Sequence, residues 1–442
     1  MQFQRRSPED PNLVIRIGRT VNTDWIRVVG DLCRTLYGVQ SAECTDLTGY
    51  DDLNFKLSKC VVKGKKVEDA FTFKFVNRWE EKFYPELCEA QAELAHLVAN
   101  EGIKCPQNVK TLDGLLYFEI LPELHGPDNF GTFADATRPT PVVLRTFVPG
   151  TPLGDWVSSS ATATSLFVGR VDTFCNEIGT LLANFHNICD RHNFCPPIFH
   201  KYAPIMALEH WHFHRREFEL QQRTDIIDAN TAKLCAEVFE EFERKVMARK
   251  SEFEQGLIHG DFNESNILVS ETADGDPKVS ALIDFSDAHF SFRIIDIANA
   301  VLYLYLLWSN LLPSVGPTGL NHLATCLYRA YSASLGRHLS QNDVAELKLF
   351  VRARLVLSLV NGLRTQRLCG QDGLEYVLKT QKIGQKLLEA RAEQMRRVIN
   401  AIWASGGGGG NKKTSRCERP MHDDDHLRNL VAMTFYWLIF RR

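Results

Sequence analysis

The stretch "LIHGDFNESNILVS", residues 257–270, places Asp261 and Asn266 five positions apart between two apolar runs. A second apolar run, "ALIDF" at 281–285, follows and ends on a third carboxylate, Asp284. Short apolar runs bounded by polar residues read as strands, so the acidic and amide side chains fall on loops at strand ends. Phosphoryl transfer needs this set. A carboxylate orients the attacking hydroxyl and takes its proton, and hard oxygen ligands such as Asn and Asp hold a divalent ion against the phosphates. A lysine reaches the phosphates and is itself held by a carboxylate.

The rest of the chain supplies the lysine. The segment 44–77 contains "FKLSKCVV" and "AFTFKFV" around "KGKK", and reads as three strands joined by two turns. Lys74 lies inside the third strand, where an inward-facing ammonium is costly unless paired. "PELCEAQAELAHLVANEG" (85–102) follows as an amphipathic helix, with Leu87, Ala90, Gln91, Leu94 and Leu97 spaced for one face and Gly102 as a stop. Glu89 on that helix is a partner for Lys74, with Glu86 and Glu93 competing. "GLLYFEIL" and "PVVLRTFV" complete a β-β-β-α-β-β order over residues 40–148. Singly, each polar residue has an ordinary role: a lysine solvated at its tip, an Asp capping a turn. In this order and spacing they form a kinase constellation.

Composition narrows the class. The 442 residues are 44% hydrophobic and 24% charged, with net charge −3, which suits a large globular protein without a footprint for nucleic acid or an anionic membrane. Twelve cysteines form no CxxC pair, and "MQFQRRSPED" lacks a secretory pattern, so free thiols in the cytoplasm are expected. "IANAVLYLYLLW" (297–308) reads as a buried core helix rather than a membrane span. "EHWHFH" places His210 and His214 at helical spacing, a weak zinc pattern without a third ligand; pocket-wall or solvated histidines are the simpler reading.

The expected organisation is a flexible terminus (1–11), a nucleotide-binding lobe (12–150), a helical catalytic lobe (151–404) and a disordered Gly-rich tail (405–442). "VPGTPLGDW" (148–156) is the boundary between the lobes.

"IHGDFNESNILV" and "ALIDFSDAHFSFRIIDIANAV" resemble the aminoglycoside phosphotransferase/choline kinase family. "HGD" stands where protein kinases have His-Arg-Asp, and "DFS" where they have Asp-Phe-Gly. Within that family, "GYDDLNFKL", "FKFVN" with the following helix, and "VLRTFVPGTPL" are similar to the hydroxylysine kinase branch. The resemblance covers about residues 40–404.

It implies an α+β, two-lobed protein-kinase-like fold with a small, mainly antiparallel β lobe, one helix, and a larger helical lobe. It implies Asp261 as base, Asn266 and Asp284 as Mg²⁺ ligands, and Asp296 as a buried anchor under the catalytic loop. It favours Glu89 as partner of Lys74, the loop residues Asp51, Asp52 and Asn54 near the phosphates, and Thr146 and Val148 at the hinge for the base. The implied reaction moves a phosphoryl group from GTP, or ATP, to the hydroxyl of 5-hydroxy-L-lysine. Choline, ethanolamine or homoserine as acceptor, and a silent nucleotide-binding protein, are the alternatives. The partner is thus a small amino acid or amino alcohol, with no nucleic acid or membrane; the oligomeric state is left open.

Overall fold

A computed structural model describes residues 15–19, 25–47, 53–62, 64–67, 70–76, 86–124, 140–224 and 226–369. Expectations for residues 1–11, for Asp51 and Asp52, and for the Gly-rich tail lie outside them.

The first layer is an eight-stranded sheet. Its strands are β1 (Ile15–Arg19), β2 (Val39–Asp46), β3 (Leu53–Val62), β4 (Lys65–Val67), β5 (Phe71–Phe75), β6 (Asn108–Val109), β7 (Phe118–Leu124) and β8 (Thr140–Thr146). The order is β1-β7-β8-β5-β3-β2, with β4 on β3 and β6 on β8. All pairs are antiparallel except β1 with β7. The expected lead-in thus becomes an edge strand, and the hairpin loop "KGKK" contributes the short β4. Helix α1 (Trp25–Leu32) continues as a π-turn through Tyr37 and closes one face.

Side-chain alternation divides this sheet into an aromatic and a cationic face. Leu53, Phe55 and Leu57 of β3, Phe71, Phe73 and Phe75 of β5, and Val142 and Leu144 of β8 are buried against α1. The intervening residues face the other way. In register, Asn54 stands opposite Lys74, and Thr72 stands between Lys56 and Arg145. One face therefore carries Asn54, Lys56, Lys74 and Arg145 together.

The second layer is helical: α2 (Glu86–Asn100), α3 (Leu153–Ser158), α4 (Ala161–Gly169), α5 (Val171–Arg191), α6 (Pro197–Lys201), α7 (Trp211–Arg223) and α8 (Ala229–Lys245), then α9 (Ile294–Leu311), α10 (Gly316–Leu335) and α11 (Gln341–Cys369). Between α8 and α9 the chain forms β10 (Gln255–Ile258) with β13 (His289–Phe292), and β11 (Ile267–Glu271) with β12 (Pro277–Leu282), the latter sheet joined by β9 (Thr151–Pro152) from ahead of α3. Strands β10 to β12 carry the motif stretch as expected.

The larger core gathers α5, α9, α10 and α11. Helix α9 is long and apolar enough to cross a membrane by length and composition, yet 72% of it is buried inside the protein. Every residue from Ile294 to Leu306 is enclosed, so α9 is the central helix of the core.

Candidate active site

Strand β10 ends at Ile258 and delivers the chain into the turn His259-Gly260-Asp261. Gly260 has φ +82°, and a Cβ there would lie 2.1 Å from the carbonyl oxygen of Asp287, so only glycine fits. Asp296 of α9, wholly buried, holds the turn. Its carboxylate accepts from the backbone N–H of His259 (2.8 Å) and of Gly260 (2.9 Å), and from His186 Nε2 of α5 (3.1 Å). Asn299, one turn further along α9, donates to the Gly260 carbonyl at 2.9 Å. Burial alone pushes the Asp296 pKa up. The hydrogen bond from His186 leads the groups that outweigh it, with that from the His259 backbone, and leaves the pKa below its ordinary value.

His186 receives a hydrogen bond at Nδ1 from the Tyr331 hydroxyl, 2.8 Å away, and burial lowers its pKa, so it stays neutral and donates to Asp296. His259 is likewise a prop. Nε2 lies 3.0 Å from the Ile283 carbonyl, which can only accept, and Nδ1 then accepts from Asp261 N–H at 3.3 Å.

Asp261 projects from this turn with both carboxylate oxygens engaged. Asn266 Nδ2 donates to Oδ2 and to the Asp261 carbonyl, each at 2.9 Å. The Asn266 amide nitrogen being so used, its Oδ1 is the atom suited to a cation. Arg354 of α11, itself buried, donates to Asp261 Oδ1 at 2.8 Å. Tyr303 of α9 presents its ring to the same guanidinium, 5.8 Å from centroid to Cζ. Glu264, three residues beyond Asp261, is half-buried. Its Oε2 is enclosed without a hydrogen-bond partner, and burial, with Asp261 and Asp155 adding, pushes its pKa up to about 7.

Asp284 adopts φ +64°, a left-handed conformation uncommon for a residue with a Cβ. Its Oδ1 accepts from the Ser286 hydroxyl at 2.5 Å. Lys74 reaches across from β5, with Nζ 3.3 Å from Asp284 Oδ1 and 3.3 Å from Ser286 Oγ. Burial favours the neutral acid. Lys74 leads the groups that outweigh it, with Ser286, Arg145 and His259, and the carboxyl is held well below the usual carboxylate range. The cationic sheet face and the segment packed on the His259–Asp261 turn therefore meet at Asp284.

Of the expected residues, Lys74 pairs with Asp284, Asn266 pairs with Asp261, and Asn54 stands opposite Lys74 in register. The Lys74–Glu89 ion pair is absent among the described residues. Helix α2 turns Leu87, Cys88, Ala90 and Gln91 inward and leaves Glu86, Glu89 and Glu93 on its exposed stripe. The inward Gln91 bonds the Ser286 carbonyl at 3.0 Å, so α2 meets the Asp284 turn through an amide. Thr146 gives its N–H to Gln107 O and accepts the Gln107 N–H at its hydroxyl, while Val148 sits half-buried at the connector.

The histidines of "EHWHFH" do not converge. His210 bonds the Ala203 carbonyl and His212 is exposed. His214 meets Asn361, with burial lowering its pKa to about 3. Sequence reasoning missed Arg354 and Arg145; the period-two alternation of β8 marks Arg145, but no local signal marks Arg354.

Hard oxygen donors from Asn266 and Asp284, the latter held ionised, fit a divalent cation such as Mg²⁺. A carboxylate beside them, with positive charge on the facing sheet, fits transfer of a phosphoryl group to a hydroxyl.

Comparisons with known proteins agree. The model of the phosphotransferase enzyme family matches residues 65–318. A hydroxylysine kinase of Xenopus laevis is 26% identical over 381 residues, covering 84% of this chain and 91% of the relative. That of Mus musculus is 22% identical over 389 residues, covering 84% and 90%. Among solved structures, an amicoumacin kinase in complex with AMP-PNP and Ca²⁺ superposes with TM-score 0.53 at 14% identity, over 82% of this chain and 93% of that one. A choline kinase from Cryptosporidium parvum gives 0.52 at 14% identity, over 86% and 99%. These likenesses show the two-lobed kinase-like α+β fold. With a family match spanning more than half of its length, the chain belongs to the phosphotransferase enzyme family, as a small-molecule kinase acting on an alcohol group.

Proposed function

We propose that the protein transfers the terminal phosphoryl group of GTP or ATP to the hydroxyl of 5-hydroxy-L-lysine. The observation that carries the chemistry is the pairing of Lys74 with Asp284 and of Asn266 with Asp261, in neighbouring segments joined by the Ile283 N–H to the Asn266 carbonyl at 2.9 Å. The acceptor reading rests on the hydroxylysine kinase relatives, which align over nine-tenths of their own length.

In this reading Asp261 orients the acceptor hydroxyl and takes its proton. Arg354 and Asn266 fix the carboxylate, so it keeps one geometry as the hydroxyl arrives. Lys74 and Arg145 supply positive charge to the phosphates from the cationic face of the sheet, with Asn54 beside them. Asn266 Oδ1 and the Asp284 carboxylate hold Mg²⁺, which when bound neutralises charge on the transferring group. The hinge at Thr146 and Val148 takes the base. The acceptor hydroxyl of 5-hydroxylysine lies on the carbon next to its aminomethyl group, so a cation arrives beside the reacting oxygen. Glu264, with its enclosed and unpartnered Oε2, is the carboxyl placed to receive it. In this reading the protein works in the cytoplasm.

The test is nucleoside diphosphate release with Mg-GTP and Mg-ATP against 5-hydroxylysine, lysine, choline, ethanolamine and homoserine. Release with hydroxylysine and none with lysine is expected. Release only with another alcohol would overturn the acceptor and keep the chemistry. Silence across the panel, with nucleotide still bound, would overturn the catalytic reading. Asp261→Asn should lower turnover by roughly a hundredfold or more with the fold intact, given usual general-base contributions. Glu264→Gln should raise KM for the amino acceptor with little change in kcat.

A further inference from the structure

We propose that Asp172, His322 and Cys326 form a binding site for a borderline-soft divalent cation, zinc foremost, where α5 meets α10. His322 and Cys326 are four residues apart on α10 and so share one face of the helix, while Asp172 comes from the first turn of α5. Oδ1 of Asp172, Nε2 of His322 and Sγ of Cys326 lie within 4.8 Å of one another.

Two of the three separations come close to those of one tetrahedral centre. With Zn–S of about 2.3 Å and Zn–N or Zn–O of about 2.0 Å, donor atoms stand roughly 3.3 to 3.6 Å apart. Sγ is 3.7 Å from the carboxylate oxygen and 3.8 Å from the imidazole nitrogen. The third edge, Nε2 to Oδ1, is shorter, a hydrogen bond of 2.5 Å. Binding displaces the proton of that bond and the thiol proton to solvent and opens this edge by about 1 Å, a side-chain adjustment. Asp172 and His322 are exposed at 65% and 45%, so water reaches the fourth position.

The helices hold the donors in place. Gly179, two turns along α5 from Asp172, lets the α10 backbone approach so closely that a Cβ there would lie 2.6 Å from the Leu327 carbonyl oxygen. Leu327 adjoins Cys326, so the thiol sits beside the point of closest contact, and sites on packed helices keep their geometry. The donor set also sorts cations. A thiolate and an imidazole disfavour the Mg²⁺ of the kinase reaction and favour zinc. The site is separate from the catalytic turn: His186 lies 14 residues further along α5, about 21 Å at 1.5 Å per residue.

The experiment uses the purified full chain, stripped with chelator, exchanged into chelator-free buffer and titrated with Co²⁺, then with competing Zn²⁺. One equivalent of Co²⁺ with a thiolate-to-cobalt charge-transfer band, erased by Zn²⁺, is expected. Cys326→Ser should abolish the band, and His322→Ala should weaken binding at least tenfold. Cys195→Ser should leave it unchanged, although it removes another Cys–His contact, Sγ to His200 Nε2 at 3.4 Å. Zinc should raise the melting temperature of the wild type and not of Cys326→Ser, the metal-free proteins melting alike. Absence of the band, its survival in Cys326→Ser, or its loss in Cys195→Ser would refute the site.

Discussion

Replacing Asp296 by Asn keeps the shape of the side chain and removes its charge. The carboxylate accepts three hydrogen bonds where it is wholly buried, two from the backbone of the His259–Asp261 turn and one from neutral His186. An amide has one accepting oxygen. If that oxygen replaces Oδ2, it keeps the bonds from His259 and His186, and its NH₂ then confronts the Gly260 N–H. The Gly260 N–H and the NH₂ facing it are both left without an acceptor at about 1–3 kcal/mol each, and two charge-assisted bonds become neutral ones at about 1 kcal/mol each. Relief from burying a charge offsets part of this, leaving a loss of about 3 kcal/mol.

Because Asp261 follows directly on the disturbed turn, a displacement near 1 Å should also lower kcat by roughly a hundredfold. The folded pKa of Asp296 lies below its unfolded value. Its contribution is therefore present above the unfolded value of 3.8 and fades as pH falls through the folded one. Urea unfolding at pH 7 should show the full deficit of Asp296→Asn, and the gap to the wild type should narrow below pH 4. A variant with wild-type stability and turnover at pH 7 would refute the reasoning, because the turn would not depend on that carboxylate.

Arg354→Met removes a hydrogen bond between two charged groups, worth about 1.5–3 kcal/mol. Steady-state kinetics should show kcat lower by roughly ten- to a hundredfold with nucleotide KM little changed. Gly260→Ala meets both a left-handed φ and the Asp287 carbonyl, so turnover should vanish even where circular dichroism shows retained helix. His289 and Glu209 form a buried ion pair at 3.4 Å beside Asp287 and Ser291. Burial pulls each toward its neutral form, yet their pairing leaves His289 raised and Glu209 lowered. The pair thus stabilises most between the unfolded values of 4.5 and 6.5, and weakens as pH rises through the folded value of His289. Glu209→Gln should accordingly cost more stability at pH 6 than at pH 9, read by the urea midpoint.

The motif stretch was legible because its chemistry is local. Asp261 and Asn266 are held by bonds within five residues of each other, and Asp284 closes the neighbouring strand. Lys74 was legible from its place in a strand of aromatic residues. Arg354 was not, since it reaches Asp261 from 93 residues away on helix α11. Glu89 was chosen among three acids a few residues apart, and only the packing of α2 decides which way that stripe turns. Strand β1 pairs with β7, about a hundred residues away, in parallel, and short segments carry no sign of such a partner. The Asp172–His322–Cys326 cluster was invisible for the same reason: two helices bring it together, while the nearer histidines of "EHWHFH" disperse.

The two faces of the first sheet have a consequence for how the gene can vary. Along β5 the rings of Phe71, Phe73 and Phe75 alternate with Thr72 and Lys74, so aromatic core and the charge of the opposite face are threaded on the same five residues. A one-residue insertion or deletion that slid β5 against β3 and β8 would turn Lys74 into the aromatic core and a phenyl ring into the cleft. Stability and catalysis would fail in one event. Changes in chain length are thereby confined to loops that leave this register intact, and a library that shifts β5 by two residues should yield folded but inactive proteins where a shift by one yields none.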